Sequence, residues 1–190
     1  MEKDFTADRR FEKFNYTETP LDKGDYDACT FIDCDFSGSD LSDIVFTECE
    51  FIRCNVSLVN LSRTIFRDTI FHECKMLGLR FEDCNEYGLS FGFGNCILNN
   101  SSFYNTKIKN TGFKDSQLKE VDFTDCDLAN SLFDNCDLEG ALFENTDLEK
   151  VDFSTAFNYS IDPENNRLKK TKFSSGGLSG LLVKYDIIIQ

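Results

Sequence analysis

Large apolar residues return at every fifth position between Cys96 and Phe157. Leu98, Phe103, Ile108, Phe113, Leu118, Phe123, Leu128, Phe133, Leu138, Phe143, Leu148 and Phe153 take the third place of successive fives. The first place is always small: Cys, Ser, Thr, Val or Ala. A period of five fits neither the ~3.6 of a helix nor the ~2 of an isolated strand. Fixed self-similarity of this kind marks a solenoid. A second period, of twenty, lies over the first, since Phe103/Phe123/Phe143 and Phe113/Phe133/Phe153 alternate with Leu98/Leu118/Leu138 and Ile108/Leu128/Leu148. Four fives per turn predict a square parallel β-helix with like side chains stacked inside. About 27 repeats give nearly seven coils, a rod of about 30–35 Å at about 4.8 Å per coil.

The same pattern sets the expected organisation. Residues 1–24 keep the spacing of five but fill the small place poorly, as an N-terminal cap with irregular first repeats would. The repeat proper spans 25–157, interrupted by a register slip at 84–97. There Phe81 and Leu98 are seventeen residues apart where three repeats need fifteen. The stretch 84–95 reads equally as a loop that projects Tyr87, Phe91 and Phe93 as an apolar contact, or as a bulged coil filled by them. Residues 158–190 then form a C-terminal cap and a dimerisation strand. Leu178, Leu181, Leu182 and Tyr185 fall at helical spacing, predicting a short amphipathic capping helix across the open end. Ile187, Ile188 and Ile189 form an apolar edge suited to two-fold self-pairing, so a homodimer through this tip is expected.

Composition narrows the function. No apolar run reaches the length of a membrane span and the N-terminus does not read as a signal peptide, so a soluble, cytoplasmic protein without membrane contact is expected. All nine cysteines fall two residues before a central position of the repeat. They are expected as buried free thiols in the small inward slot, with Cys34, Cys54 and Cys74 stacked on successive coils. His72 is the one histidine and points outward beside a central Phe. No nucleophile elbow, phosphate loop or EF-hand spacing is present. The chain is therefore read as no enzyme, with no cofactor and no metal.

Charge is the informative quantity. The net charge is −14. Residues 120–164 hold thirteen acids against Lys150 alone. Nine of them, Asp122, Asp127, Asp134, Asp137, Glu139, Glu144, Asp147, Glu149 and Asp152, are expected to form an acidic partner-binding face. Such a surface disfavours nucleic acid as a direct partner and suits a protein that normally binds it. Charge that serves only solubility is the other reading.

Fives such as CDLAN, CDLEG and TDLEK give the pattern A(D/N)LXX, and the chain resembles the pentapeptide-repeat proteins over about residues 25–157. The ending, IDPENNRLKK followed by a short helix and an Ile-rich tail, is similar to the Qnr and McbG branches. That resemblance implies an all-β solenoid, a right-handed quadrilateral β-helix. It also implies a C-terminal dimer forming a long acidic rod that mimics duplex DNA. The implied partner is a type II topoisomerase, DNA gyrase or topoisomerase IV, protected from quinolone-like poisons. The alternative is a pentapeptide-repeat scaffold for another protein. The chain departs from the Qnr type in lacking two clear protruding loops; 84–95 is the single candidate.

Overall fold

Each five makes one side of a square because its last residue turns the chain. The computed structural model describes residues 4–188. In it the last place is left-handed in repeat after repeat, as at Asn100 (φ 60°), Asn105 (φ 53°), Asn110 (φ 60°) and Asp125 (φ 57°). Asn, Asp and Gly tolerate this region best, which explains their frequency at the fifth place. Leu58 is an exception, branched, 69% exposed and held at φ 58°. Leu58→Asn is expected to relieve about 1 kcal/mol of backbone strain and to raise Tm by about 2–4 °C in a scanning calorimeter.

Four corners complete a turn, and about eight turns stack as a right-handed quadrilateral parallel β-solenoid. Phe113 pairs with Phe93 before it and Phe133 after it, in parallel register. One side carries a nine-stranded sheet from Arg10–Glu12 to Lys172–Phe173. The preceding side carries four strands, Asp4–Ala7, Gly24–Asp27, Val45–Thr47 and Ile65–Arg67. Single bridges continue the ladder elsewhere, for example Gln117 to Asp137 and Ser102 to Asp122 to Leu142. The sides are named below by their central residues in one turn: Leu118, Phe123, Leu128 and Phe133.

The core is a set of stacked files. Phe103, Phe123 and Phe143 lie with ring centroids 5.2 and 5.1 Å apart and nearly parallel. Phe123 also meets Phe113 and Phe133 edge-on at 6.0 and 5.8 Å. The small place faces inward and satisfies backbone carbonyls, as Thr146 Oγ1 does by donating to the Phe123 carbonyl at 2.8 Å. All nine cysteines are free, eight buried and Cys84 half-buried. Cys54 N–H donates to Cys74 Sγ at 3.4 Å, so the stacked thiols are one coil apart as the period of twenty requires.

The solenoid extends beyond 25–157 at both ends. Asp4–Ala7 and Arg10–Glu12 already pair with the next coil, and Phe153 pairs onward with Phe173. This accounts for about eight turns where the repeat count gave nearly seven.

At the slip, Phe71 pairs with Phe93 and Arg80 with Ser102, twenty-two residues apart instead of twenty. The two additional residues sit in an 84–90 bulge that replaces the Leu128 side of that turn. Of the expected apolar contact, Tyr87 alone stands out, 76% exposed. Phe91 and Phe93 do not: they are 6% and 4% exposed inside the core. Their strand, Phe91–Gly94, rejoins the nine-stranded sheet, and sheet pairing turns both rings inward.

The C-terminal cap is built of 3-10 turns, Ser175–Leu181 and Val183–Tyr185. Glycine is poor in an α-helix, and here Gly177 and Gly180 let the backbone press onto Tyr159, where any Cβ would meet the ring or its carbonyl. Leu181 packs inward against the core. Leu182 is half-buried, and Leu178, Tyr185, Ile187 and Ile188 are exposed. Ile189 lies outside the described residues.

Candidate functional site

A quarter-turn every five residues spreads a continuous acidic stretch around the rod. The nine acids expected on one face occupy all four sides. Asp137 and Glu139 flank the Leu118 file, and Asp122 and Glu144 the Phe123 file. Asp127, Asp147 and Glu149 flank the Leu128 file, and Asp134 and Asp152 the Phe133 file. The expectation of a single acidic face is thereby corrected.

The turns above and below also supply cations. Lys109 pairs with Asp127 at 3.0 Å, and Lys119 with Asp137 at 3.0 Å and Glu139 at 2.7 Å. Arg167 pairs with Asp147 at 3.1 Å and also reaches Glu149. Lys172 meets Asp152 at 2.9 Å. Most of these pairs join residues one coil apart, so bases on either side of the acidic stretch stack onto it. Exposed pairs of this kind contribute about 0–1 kcal/mol each, but they cancel field.

One side escapes. Glu120, Asp122, Asp125 and Glu144 have no ion pair among the described residues. They lie together, since Asp125 N–H donates to the Glu144 carbonyl at 2.8 Å and Asp122 bridges Leu142. Asp122 Oδ1 accepts from Thr124 N–H at 2.8 Å, holding the carboxylate at the surface. Glu120 stands at the corner that opens the Phe123 side and Asp125 at the corner that closes it, with Asp122 and Glu144 on that side between them, so the unpaired acids line the Phe123 side. Asp134 on the Phe133 side also has no ion pair among the described residues.

A second acidic belt escaped the sequence reading. Residues 24–43, a single turn, carry Asp25, Asp27, Asp33, Asp35, Asp40 and Asp43 and no base. Three are met by cations: Lys23 at Asp40 (3.0 Å), Arg53 at Asp33 (2.7 Å) and Arg63 at Asp43 (2.6 Å). Summing charge in windows of twenty, the coil period, would have found it.

Hydrogen bonding and pairing depress some of these acids. Ser154 first, then Lys172, hold Asp152 down to about 2. A lowered folded-state pKa contributes stability above the unfolded value of about 3.9 that is lost as pH falls toward about 2. Wild-type stability is therefore expected to drop between about pH 4 and 2, and less steeply in Asp152→Asn. Urea titrations at stepped pH read the difference.

Burial pushes Cys49, Cys126 and Cys136 up to about 12, so these thiols stay protonated. His72 points outward and meets Glu73 at 3.1 Å. Among the described residues, no three or more His, Cys, Asp or Glu are grouped to hold a metal ion. No helix there is long and apolar enough to cross a membrane.

Comparisons with known proteins agree with this architecture. The family described as pentapeptide repeat region matches residues 90–156, and pentapeptide repeats (8 copies) match 29–68 and 49–85. No curated protein matches. Among solved structures, a trypsin-treated QnrB1, a plasmid-mediated fluoroquinolone resistance protein, superposes over 100% of both chains at 15% identity and TM-score 0.63. Full-length QnrB1 covers 97% of this chain and 100% of its own, at 16% identity and TM-score 0.57. HetL, a pentapeptide-repeat protein involved in heterocyst differentiation regulation from the cyanobacterium Nostoc sp. strain PCC 7120, aligns at 13% identity over 90% and 86% with TM-score 0.38. At these identities the likeness to QnrB1 is one of fold.

Proposed function

The chain belongs to the pentapeptide-repeat proteins, and from that premise we propose that it is a non-catalytic, protein-binding rod. Its unneutralised carboxylates take the place of nucleic-acid phosphates on a cationic partner surface. The observation that carries this reading is the Phe123 side with Glu120, Asp122, Asp125 and Glu144, left without cations where acids of the adjoining Leu118 and Leu128 sides are paired. Charges without local partners keep their field for a partner protein. The fold shared with QnrB1 makes a type II topoisomerase the first partner to test.

The exposed apolar tip supports self-association, with Ile187 at 56% and Ile188 at 88% exposure. On this reading Ile188→Glu converts a dimer to a monomer in light scattering, and a wild type that is already monomeric removes the tip pairing.

The test of the partner is gyrase supercoiling in the presence of a fluoroquinolone, with the protein titrated in. Restored supercoiling supports the topoisomerase assignment. No effect on supercoiling or on drug poisoning over a wide titration ends it for that enzyme. The second reading, a scaffold for some other protein, is favoured by the ion pairs that quench most of the acidic stretch.

A further inference from the structure

The one interruption of the repeat leaves a hole in the wall. Between the 84–90 bulge and the 104–107 corner lies a cavity of about 370 Å³, floored by Phe81 and edged by Glu82, Glu86, Tyr104 and Lys107. Elsewhere the pattern of fives packs each turn on the next; here two extra residues break it. Sites at which an otherwise consistent pattern breaks are where function concentrates.

The chemistry of the hole is specific. Glu82 Oε2 is buried and makes no hydrogen bond. Its other oxygen is 3.5 Å from Arg80, which also serves Asp83 at 3.1 Å. That oxygen is closed to solvent while the side chain as a whole is 17% exposed, so a donor in the cavity reaches the carboxylate only when it turns outward. Tyr104 at the rim is 46% exposed and offers an aromatic face. The Thr106 hydroxyl is already committed to the Phe103 carbonyl at 2.7 Å. Glu82 and Glu86 against Lys107 leave the lining at net −1.

We propose that this cavity receives a guanidinium group, an arginine side chain presented by a protein partner. It rests on the reading of the chain as a protein-binding rod and names an anchor for the partner. A planar guanidinium donates in-plane to a carboxylate while stacking on an aromatic ring. A cavity of this size holds one side chain, and buried arginine anchors dominate many interfaces. Lys107 opposes the cation and lowers its affinity.

Cys84 reports occupancy directly. It lines the cavity and is half-buried, whereas the other eight thiols are buried. Burial holds its pKa above the ordinary range, so labelling is run at mildly alkaline pH. Iodoacetamide alkylation of Cys84 in the full chain is followed by mass spectrometry, with acetyl-arginine-amide as probe and acetyl-glutamine-amide as neutral control. Protection should saturate, slowing labelling about tenfold when the probe is at about ten times its dissociation constant. Glu82→Gln, of the same shape, should abolish protection; Lys107→Ala should shift the midpoint to lower probe concentration. No protection overturns the proposal, as does equal protection by the neutral amide or protection indifferent to Glu82→Gln. Equal protection by acetyl-lysine-amide overturns the guanidinium assignment. No topoisomerase enters this assay, so its failure and that of the topoisomerase assignment are read separately.

Discussion

Phe123→Ala is expected to lower the unfolding free energy by about 4 kcal/mol. Phe123 is fully buried, with 0% exposure. It stacks between Phe103 and Phe143 and meets Phe113 and Phe133 edge-on. Truncation removes the apolar area of the ring and leaves a cavity that the coil backbone, fixed by bonds above and below, cannot close. In a solenoid each turn contacts only its neighbours, so the loss should be local as well as large. Urea unfolding gives the total. Hydrogen exchange should show protection falling in the turns that hold Phe103, Phe123 and Phe143, with the turns around Phe31 little changed. A uniform loss along the rod would mean that the stack is not the unit of stability.

The second large effect concerns binding. Changing Asp122 and Asp125 to Asn and Glu144 to Gln should weaken association with a cationic partner surface at least about tenfold. The same number of changes at the paired Asp127, Asp147 and Asp152 should cost several-fold less, because Lys109, Arg167 and Lys172 already oppose those carboxylates. Neither set touches an inward side chain, so both variants should keep the wild-type Tm within a few degrees. Anisotropy titrations against the same partner read both. Equal losses from the two sets would place the binding surface elsewhere or make it a matter of net charge alone.

The fold was legible because the repeat constrains every position at once. A Phe or Leu at the centre, a small residue two places earlier and Asn or Asp at the turn together admit one backbone path. The cysteines could be placed for the same reason, since slot and neighbour were both fixed by period. The surface was not legible in the same way. Asp127 and Lys109 are eighteen residues apart in the chain and 3.0 Å apart in space, so charge counted along the sequence overstates charge gathered on a face. Counting by coil recovers the belt at 24–43 and the cations stacked above and below 120–164. The sequence left open whether 84–95 projects from the rod or fills a bulged coil. Phe91 and Phe93 look as exposable as Tyr87 in a glycine-rich stretch, and only sheet pairing with Phe71 and Phe113 decides that they turn inward. At the C-terminus, helical spacing of Leu178, Leu181, Leu182 and Tyr185 gave the capping role. The 3-10 form follows from contacts of Gly177 and Gly180 with Tyr159 that no spacing reveals.

On the proposed reading the rod binds as an anionic surrogate for nucleic acid. Displacement of a fluorescent DNA duplex from gyrase by the full chain, measured by anisotropy from low to physiological salt, tests it most directly. The account predicts competitive displacement whose midpoint rises steeply with ionic strength, as expected when several carboxylates replace phosphates, and which fails in the variant changed at Asp122, Asp125 and Glu144. Displacement that ignores salt and those three residues, or binding of the rod with the duplex still bound, would contradict it.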